Sequence, residues 1–282
     1  MTFTDNLIKK SKETNSIVCM GLDPVLEKIP LKGATEQVLE KFFTDILDAT
    51  ASENTFPSIV KPNIAFFEQY GFEGLRALKK IITAYQKQNI PVLLDAKRAD
   101  IGKTSAAYAK NLFDFWGADA ITVAPYMGTD SVSPFIKYCK KDKGVYILAR
   151  TSNKGAVDIQ NLLVNKIPLY MKIAQKITEW SKYSGVGVVV GATYPKELEA
   201  ISKLFIQSKK QIPMLIPGVG AQGGSAKEVV QALKNTKNNL SIHRINSSSA
   251  ILYAYQKKDS EDYAGAAVKA IKQLNKEIDF KN

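Results

Sequence analysis

Ile90-Pro91-Val92-Leu93-Leu94-Asp95-Ala96-Lys97-Arg98-Ala99-Asp100 carries an apolar run straight into a cluster of charges. Five apolar residues, too few for a helix but enough for a strand, predict a buried strand over Pro91–Leu94. Asp95 and Lys97 are two apart, so on an extended chain they share one face. Asp100 follows as the chain leaves the strand. Acid, base and acid at a strand mouth can hold both charge signs in a partly desolvated pocket. That arrangement suits proton transfer or stabilisation of a developing carbanion. By itself D-x-K-x-x-D would occur by chance in roughly one chain in ten, and a surface ion-pair cluster explains it equally well. The rest of the chain has to decide.

Seven further apolar runs flank this one: Ser16–Leu22, Ser58–Lys61, Ala118–Ala124, Val145–Ala149, Gly185–Val190, Pro213–Ile216 and Leu240–Ile245. Their continuous apolarity is that of strands buried on both faces. Amphipathic segments lie between them. Val38, Leu39, Phe42, Phe43, Ile46 and Leu47 form one helical stripe. Thr193-Tyr194-Pro195 reads as a helix entry with proline in the first turn. Glu261–Ile278 supplies a last helix, and Phe3–Lys12 an extra one before the first strand, capping one end. Eight β-then-α units predict an α/β fold, a single (β/α)8 TIM barrel in one domain over residues 1–282. An open doubly wound sheet is the structural alternative. The only long insertion is Asn153–Val164, after the fifth strand.

The chain has 282 residues and 45% hydrophobic composition, enough for a full core. It has no apolar run of 18 residues and no signal-peptide pattern at its start. Cys19 and Cys139 fit neither a metal nor a redox spacing. A soluble, reduced, cytoplasmic protein is expected, with no membrane partner. The net charge of +12 raises the question of nucleic acid. Only four of the 39 basic residues are arginine (Arg76, Arg98, Arg150, Arg244), however, and arginine is the favoured reader of phosphates and base edges. The lysines are spread over helix faces, so no nucleic-acid partner is expected. A positive field still favours a small anionic substrate.

In a barrel, chemistry sits just beyond the C-terminal ends of the strands. Those places hold Asp23, Lys61 and Asn63, then Asp95, Lys97 and Asp100, then Arg150-Thr151-Ser152-Asn153. The seventh strand runs into Pro217-Gly218-Val219-Gly220-Ala221-Gln222-Gly223-Gly224, the eighth into Asn246-Ser247-Ser248-Ser249. Gly218, Gly220 and Gly223 spell G-x-G-x-x-G, but no acidic residue follows about 20 positions on, as a dinucleotide site needs. After a seventh strand, a phosphate cradle is the better reading. His243, the only histidine, falls inside a strand and reads as packed or surface rather than catalytic. No His/Cys/carboxylate cluster marks a metal, and the lysines beside Asp23 and Asp95 would compete with a cation.

These residues resemble the orotidine 5′-phosphate decarboxylase family, in its longer, type 2 bacterial form. The likeness runs from Gly21-Leu22-Asp23 to Ile251. Its carriers are Lys61-Pro62-Asn63-x-Ala65-Phe66, Asp95-x-Lys97-x-x-Asp100-Ile101-x-x-Thr104 and Pro217-Gly218-Val219-Gly220-Ala221-Gln222. The resemblance implies cofactor-free, metal-free decarboxylation of orotidine 5′-phosphate to UMP, in a homodimer. Lys61, Asp95, Lys97 and Asp100 would form an alternating charged network, with Lys97 as the proton donor and Asp100 and Thr104 reaching the partner's site. Asp23 and Asn63 would contact the ribose, Ser152 the pyrimidine, and Gln222 with nearby amides the phosphate. Ile101, Thr151, Pro217, Gly220, Gly223, Ser248 and Ser249 complete the expected substrate-binding set.

One position departs from the family. Where it carries an arginine that pairs with the phosphate, this chain has Ser249; Arg244 lies five residues earlier, inside the strand. Three readings follow: amide and hydroxyl donors suffice, the serine was introduced, or the chain is a weakened or non-catalytic relative. Related sugar-phosphate barrels (3-keto-gulonate-phosphate decarboxylase, hexulose-phosphate synthase) share D-x-K-x-x-D but use magnesium. Lys61-Pro62-Asn63 and Asp100-Ile101-x-x-Thr104 favour the nucleotide enzyme.

Overall fold

The computed structural model describes residues 1–220, 222–258 and 260–280. Eight parallel strands form one sheet: β1 (Val18–Leu22), β2 (Ile59–Pro62), β3 (Leu93–Arg98), β4 (Ala120–Val123), β5 (Gly144–Arg150), β6 (Val186–Val190), β7 (Met214–Pro217) and β8 (Arg244–Ser247). Their order around the sheet is the order of the chain, with β8 returning to pair with β1. Bridges Val60↔Val92 and Asn63↔Asp95 link β2 to β3, so the sheet comes round on itself as a barrel. Right-handed β-α-β crossovers place the helices outside.

The strands bury both faces, which is why their sequences run apolar without alternation. Cys19, Ile59, Leu93, Ala120, Tyr146, Val189 and Leu215 point inward and fill the barrel. Phe3 and Leu7 of the helix Phe3–Glu13 pack onto this layer from the N-terminal side, Phe3 edge-on to Tyr146. That helix is therefore the expected cap, and it plugs the barrel floor. Outside, the stripe Val38–Leu47 of the helix Thr35–Ser52 lies fully buried, as its period predicts. Both cysteines are free and buried, and burial pushes each thiol up to about 12, so neither is a poised nucleophile.

Two strands differ from their sequence reading. β3 continues to Arg98 rather than stopping at Leu94, so Asp95 and Lys97 belong to the strand itself. Leu94 pairs with Ile121 and Arg98 with Val123, so four steps of β3 span two steps of β4. This bulge, with Lys97 at φ +45°, replaces plain alternation as the reason the two side chains converge. β8 is displaced in the other direction: Leu240–Ile242 forms a 3-10 turn and the strand begins at Arg244. The local Asn239 side chain accepts from the Ser241 amide and favours the turn over extension. The insertion after β5 is not structureless, since Leu163–Val164 and Ile167–Pro168 pair as a small antiparallel hairpin.

Arg244 is wholly buried at the floor, donating to the carbonyls of Leu7, Ser241 and His243. It faces away from the open end of the barrel. His243 is also wholly buried, just before β8, and its Nδ1 accepts the Met214 amide at 3.0 Å. Burial, then the neighbouring Arg244 charge, lowers its pKa from 6.5 to about 3. The unfolded chain therefore takes up a proton that the folded chain refuses. Stability is fully present above about 6.5 and falls as pH drops from there toward about 3, by ~1.4 kcal/mol per pH unit. We expect thermal melting to show this slope between about pH 4 and 6, and His243→Gln to flatten it. An equally steep profile in that variant would assign the slope to other groups.

Candidate active site

A cavity of about 540 Å³ opens at the C-terminal end of the barrel, above the apolar layer. Its size is that of an ordinary small-ligand site. Lys61 on β2 and Asp95 on β3 form its floor, both nearly excluded from solvent. Lys61 Nζ donates to Asp95 Oδ2 at 2.9 Å and stands 4.0 Å from Asp23 Oδ1 at the end of β1. Lys97 Nζ donates to Asp95 Oδ1 at 2.7 Å, from a side chain 47% exposed. The charges thus run Asp23, Lys61, Asp95, Lys97 along the floor, with the middle two the most buried.

Burial alone would raise the Asp95 carboxyl. The opposing charges and hydrogen bonds of Lys61 and Lys97 outweigh it and hold that group well below the usual carboxylate range. Burial would likewise lower Lys61, but Asp95 and then Asp23 push it above the ordinary lysine value. The pair is therefore ionised throughout the neutral range, and an anion fixed at Asp95 orients the Lys97 ammonium into the cavity.

Thr122 on β4 is a member that the sequence reading missed. Its hydroxyl donates to Asp95 Oδ1 at 2.7 Å and accepts the Lys97 amide at 3.0 Å, so it pins both sides of the bulge. It sits inside an apolar run with no charged neighbour, so only strand pairing could have singled it out. Tyr253 was missed for another reason, being one helical turn beyond Ser249. Its hydroxyl accepts the Val25 amide at 2.8 Å and donates to the Asp23 carbonyl at 3.2 Å, which fastens the loop after β1.

The cavity also gathers Asn63, Thr151, Ser152, Pro217, Gln222, Ser248 and Ser249, seven of the residues expected there. Ser248 packs against Gly21, where a Cβ would stand 1.8 Å from its Oγ; only glycine on β1 admits it. Thr151 is held by the insertion: the Gln160 side chain accepts its amide at 2.9 Å and donates to its hydroxyl at 2.8 Å. Gln160 also accepts from Arg150, whose buried guanidinium lies 3.6 Å from the Tyr194 ring centre. Asp23 Oδ1 and Asn246 Oδ1 are buried acceptors without a hydrogen-bond partner among the described residues, and both residues line the cavity.

Not every expected residue reaches it. Gly220 and Gly223 do not line the cavity. Their amides bond within their own loop, Gly220 to the Gly224 carbonyl and Gly223 to the Gly220 carbonyl. The Gly224 amide likewise bonds Gly218, so the glycine turn is held by itself rather than aimed outward. Ala221 of that segment lies outside the described residues. Asp100, Ile101 and Thr104 also stand apart from the cavity, with Ile101 and Thr104 exposed. Asp100 Oδ1 accepts the Ile101 amide at 2.8 Å, just ahead of the helix Gly102–Lys110. Among the described residues no group of three or more His, Cys, Asp or Glu is placed to hold a metal, and no helix is long and apolar enough to cross a membrane.

Comparison with known proteins gives a consistent result. Residues 16–263 match the family model described as orotidine 5′-phosphate decarboxylase / HUMPS family. The orotidine 5′-phosphate decarboxylase of Natronomonas pharaonis is 41% identical, over 98% of this chain and 99% of its own length. That of Janthinobacterium sp. is 42% identical over 95% of this chain and 94% of its own. Among solved structures, Leishmania donovani OMP decarboxylase superposes with a TM-score of 0.76 at 34% identity, covering 98% of each chain. A structure titled as a putative orotidine-monophosphate decarboxylase of Toxoplasma gondii gives a TM-score of 0.80 at 31% identity, over 100% of this chain and 99% of that one.

Proposed function

The chain belongs to the orotidine 5′-phosphate decarboxylase / HUMPS family, and from that premise we propose that its cavity holds the nucleotide with the pyrimidine C6 against Lys97. The reaction is the decarboxylation of orotidine 5′-phosphate to UMP in pyrimidine biosynthesis. The observation that carries the assignment of roles is the Lys61–Asp95–Lys97 chain under the cavity, its first two members buried.

When the C6–carboxylate bond breaks, CO2 leaves and the electron pair stays on carbon. Lys97, with its ammonium already oriented by Asp95, stabilises that pair and delivers a proton to C6. It then regains a proton from water through its exposed side. Asp95 is kept anionic by Lys61, so it also faces the substrate carboxylate as a like charge, relieved as neutral CO2 departs. Asp23 and Asn63 hold the ribose, Thr151 and Ser152 the pyrimidine, and Gln222, Ser248 and Ser249 the phosphate end. Asp100, Ile101 and Thr104 serve the cavity of a second copy, which accounts for their place outside the cavity of their own chain. The working form is thus a homodimer, placed in the cytoplasm with the pathway it serves.

The test is loss of the orotate chromophore when the protein is incubated with orotidine 5′-phosphate, with and without a chelator. Turnover that persists in chelator is the expected result. Loss of turnover in chelator would favour the magnesium-using sugar-phosphate relatives, and binding of UMP without CO2 release a non-catalytic barrel.

A further inference from the structure

Resting on that reading, we infer that Lys28 supplies the counter-charge for the substrate's phosphate. Among the described residues lining the cavity there are three lysines and two carboxylates, Lys28, Lys61 and Lys97 against Asp23 and Asp95. Lys61 and Lys97 are committed to Asp95, at 2.9 and 2.7 Å, and Lys61 also approaches Asp23. Those four charges cancel. The floor therefore offers no net cation to a ligand carrying a carboxylate and a phosphate. Lys28 supplies the remaining positive charge of the wall, and no carboxylate of the described residues forms an ion pair with it.

Its position fits the task. Lys28 ends the short 3-10 turn Leu26–Lys28 in the loop after β1. β1 pairs with β8, so this loop neighbours the segment that follows β8. The ammonium stands 5.4 Å from the ring centre of Tyr253, and the Tyr253 amide donates to the Ser249 carbonyl. Lys28 thus hangs over the residue one turn past Ser249. The loop is anchored there by Tyr253 through Val25 and Asp23, and the Tyr255 hydroxyl donates to the Lys28 carbonyl. The backbone is held while the exposed side chain is free to swing. An aromatic face is a weak seat for an ammonium, and a phosphate dianion would draw it off. Ser249 is neutral, so the cation at this end comes from the β1 side of the barrel.

The test compares ligands with and without a phosphate. Lys28→Met is expected to weaken UMP binding by about 10-fold, the worth of one charge-assisted contact. Its binding of uridine, which lacks the phosphate, is expected to stay within about 2-fold, and Lys28→Arg to bind UMP like the parent. Adding Ser249→Arg to Lys28→Met is expected to restore UMP affinity. Unchanged UMP binding in Lys28→Met, or equal weakening of UMP and uridine, would overturn the inference. The readout is equilibrium binding, so it stands apart from the decarboxylation assay: a parent that binds UMP but releases no CO2 defeats the catalytic reading and leaves this one to be judged.

Discussion

Lys97→Ala is expected to lower kcat by at least ~10⁴-fold while the protein folds as before. Lys97 is the cavity's exposed cation nearest the reacting carbon in the proposed pose, and its 2.7 Å bond to Asp95 is what orients it. Without it, no other lysine can replace the proton donor: Lys61 is buried behind Asp95 and Lys28 sits over Tyr253 from the loop after β1. Stability is spared because the side chain is 47% exposed and Asp95 keeps Lys61 and Thr122 as partners. The positive φ at Lys97 costs alanine little more than it already costs lysine. Melting temperature and UMP affinity should therefore move little while turnover disappears; near-normal turnover would remove Lys97 from the chemistry. Mixing this variant with Asp100→Ala extends the test. If Asp100 serves the partner's cavity, subunit exchange builds heterodimers with one intact site, and activity should return to about a quarter of the parent's. No recovery would mean that Asp100 acts within its own chain.

What the sequence made readable was governed by local rules. Eight apolar runs predicted eight strands because strands covered on both faces have no polar register to confuse the pattern. The helix stripe at Val38–Leu47 and the proline at the entry of Pro195–Gln207 were readable for the same reason, each being a property of a few neighbouring residues. The misreadings came where tertiary structure sets the local conformation. Charges at Asp95 and Lys97 look like the end of a strand, yet the barrel mouth is a place where strands carry polar groups inward. Asn246 and Ser247 sit within β8 for that reason. The bulge in β3 depends on pairing with β4, and Thr122 declares itself only through that pairing. Lys28 and Tyr253 belong to a loop and a helix that meet through space alone. The glycine loop reads as a phosphate cradle, but its hydrogen bonds close on themselves, which G-x-G-x-x-G cannot reveal.

Asp95→Ala is expected to damage both stability and turnover, and a second substitution separates the two. Lys61 is only 4% exposed, and without Asp95 its nearest carboxylate is Asp23 at 4.0 Å. Stranding a buried ammonium costs ~3–5 kcal/mol. For a chain of this size that is a fall in Tm of roughly 10 °C. The pH dependence follows from the two shifted groups. Asp95 is held below its ordinary value of 3.8, so its stabilisation is fully present above that pH and lost only as pH falls below it. Lys61 is held above its ordinary 10.5, so its share persists until pH rises past that value. The gap between parent and variant should therefore stay level from about pH 5 to 9; the His243 slope is common to both proteins and cancels in the difference. Turnover falls with it, because Lys97 loses the anion that aims it. Lys61→Met in the Asp95→Ala background removes the stranded charge and fills the space with an apolar chain of similar length. Replacing a buried ion pair in this way is often neutral for stability, so the melting temperature should recover while the activity does not. If Asp95→Ala melts like the parent, or the double variant melts no higher than the single, the floor of the cavity is not held by this pair. If the double variant regains turnover as well as stability, Asp95 acts as a buried counter-ion and not in the chemistry.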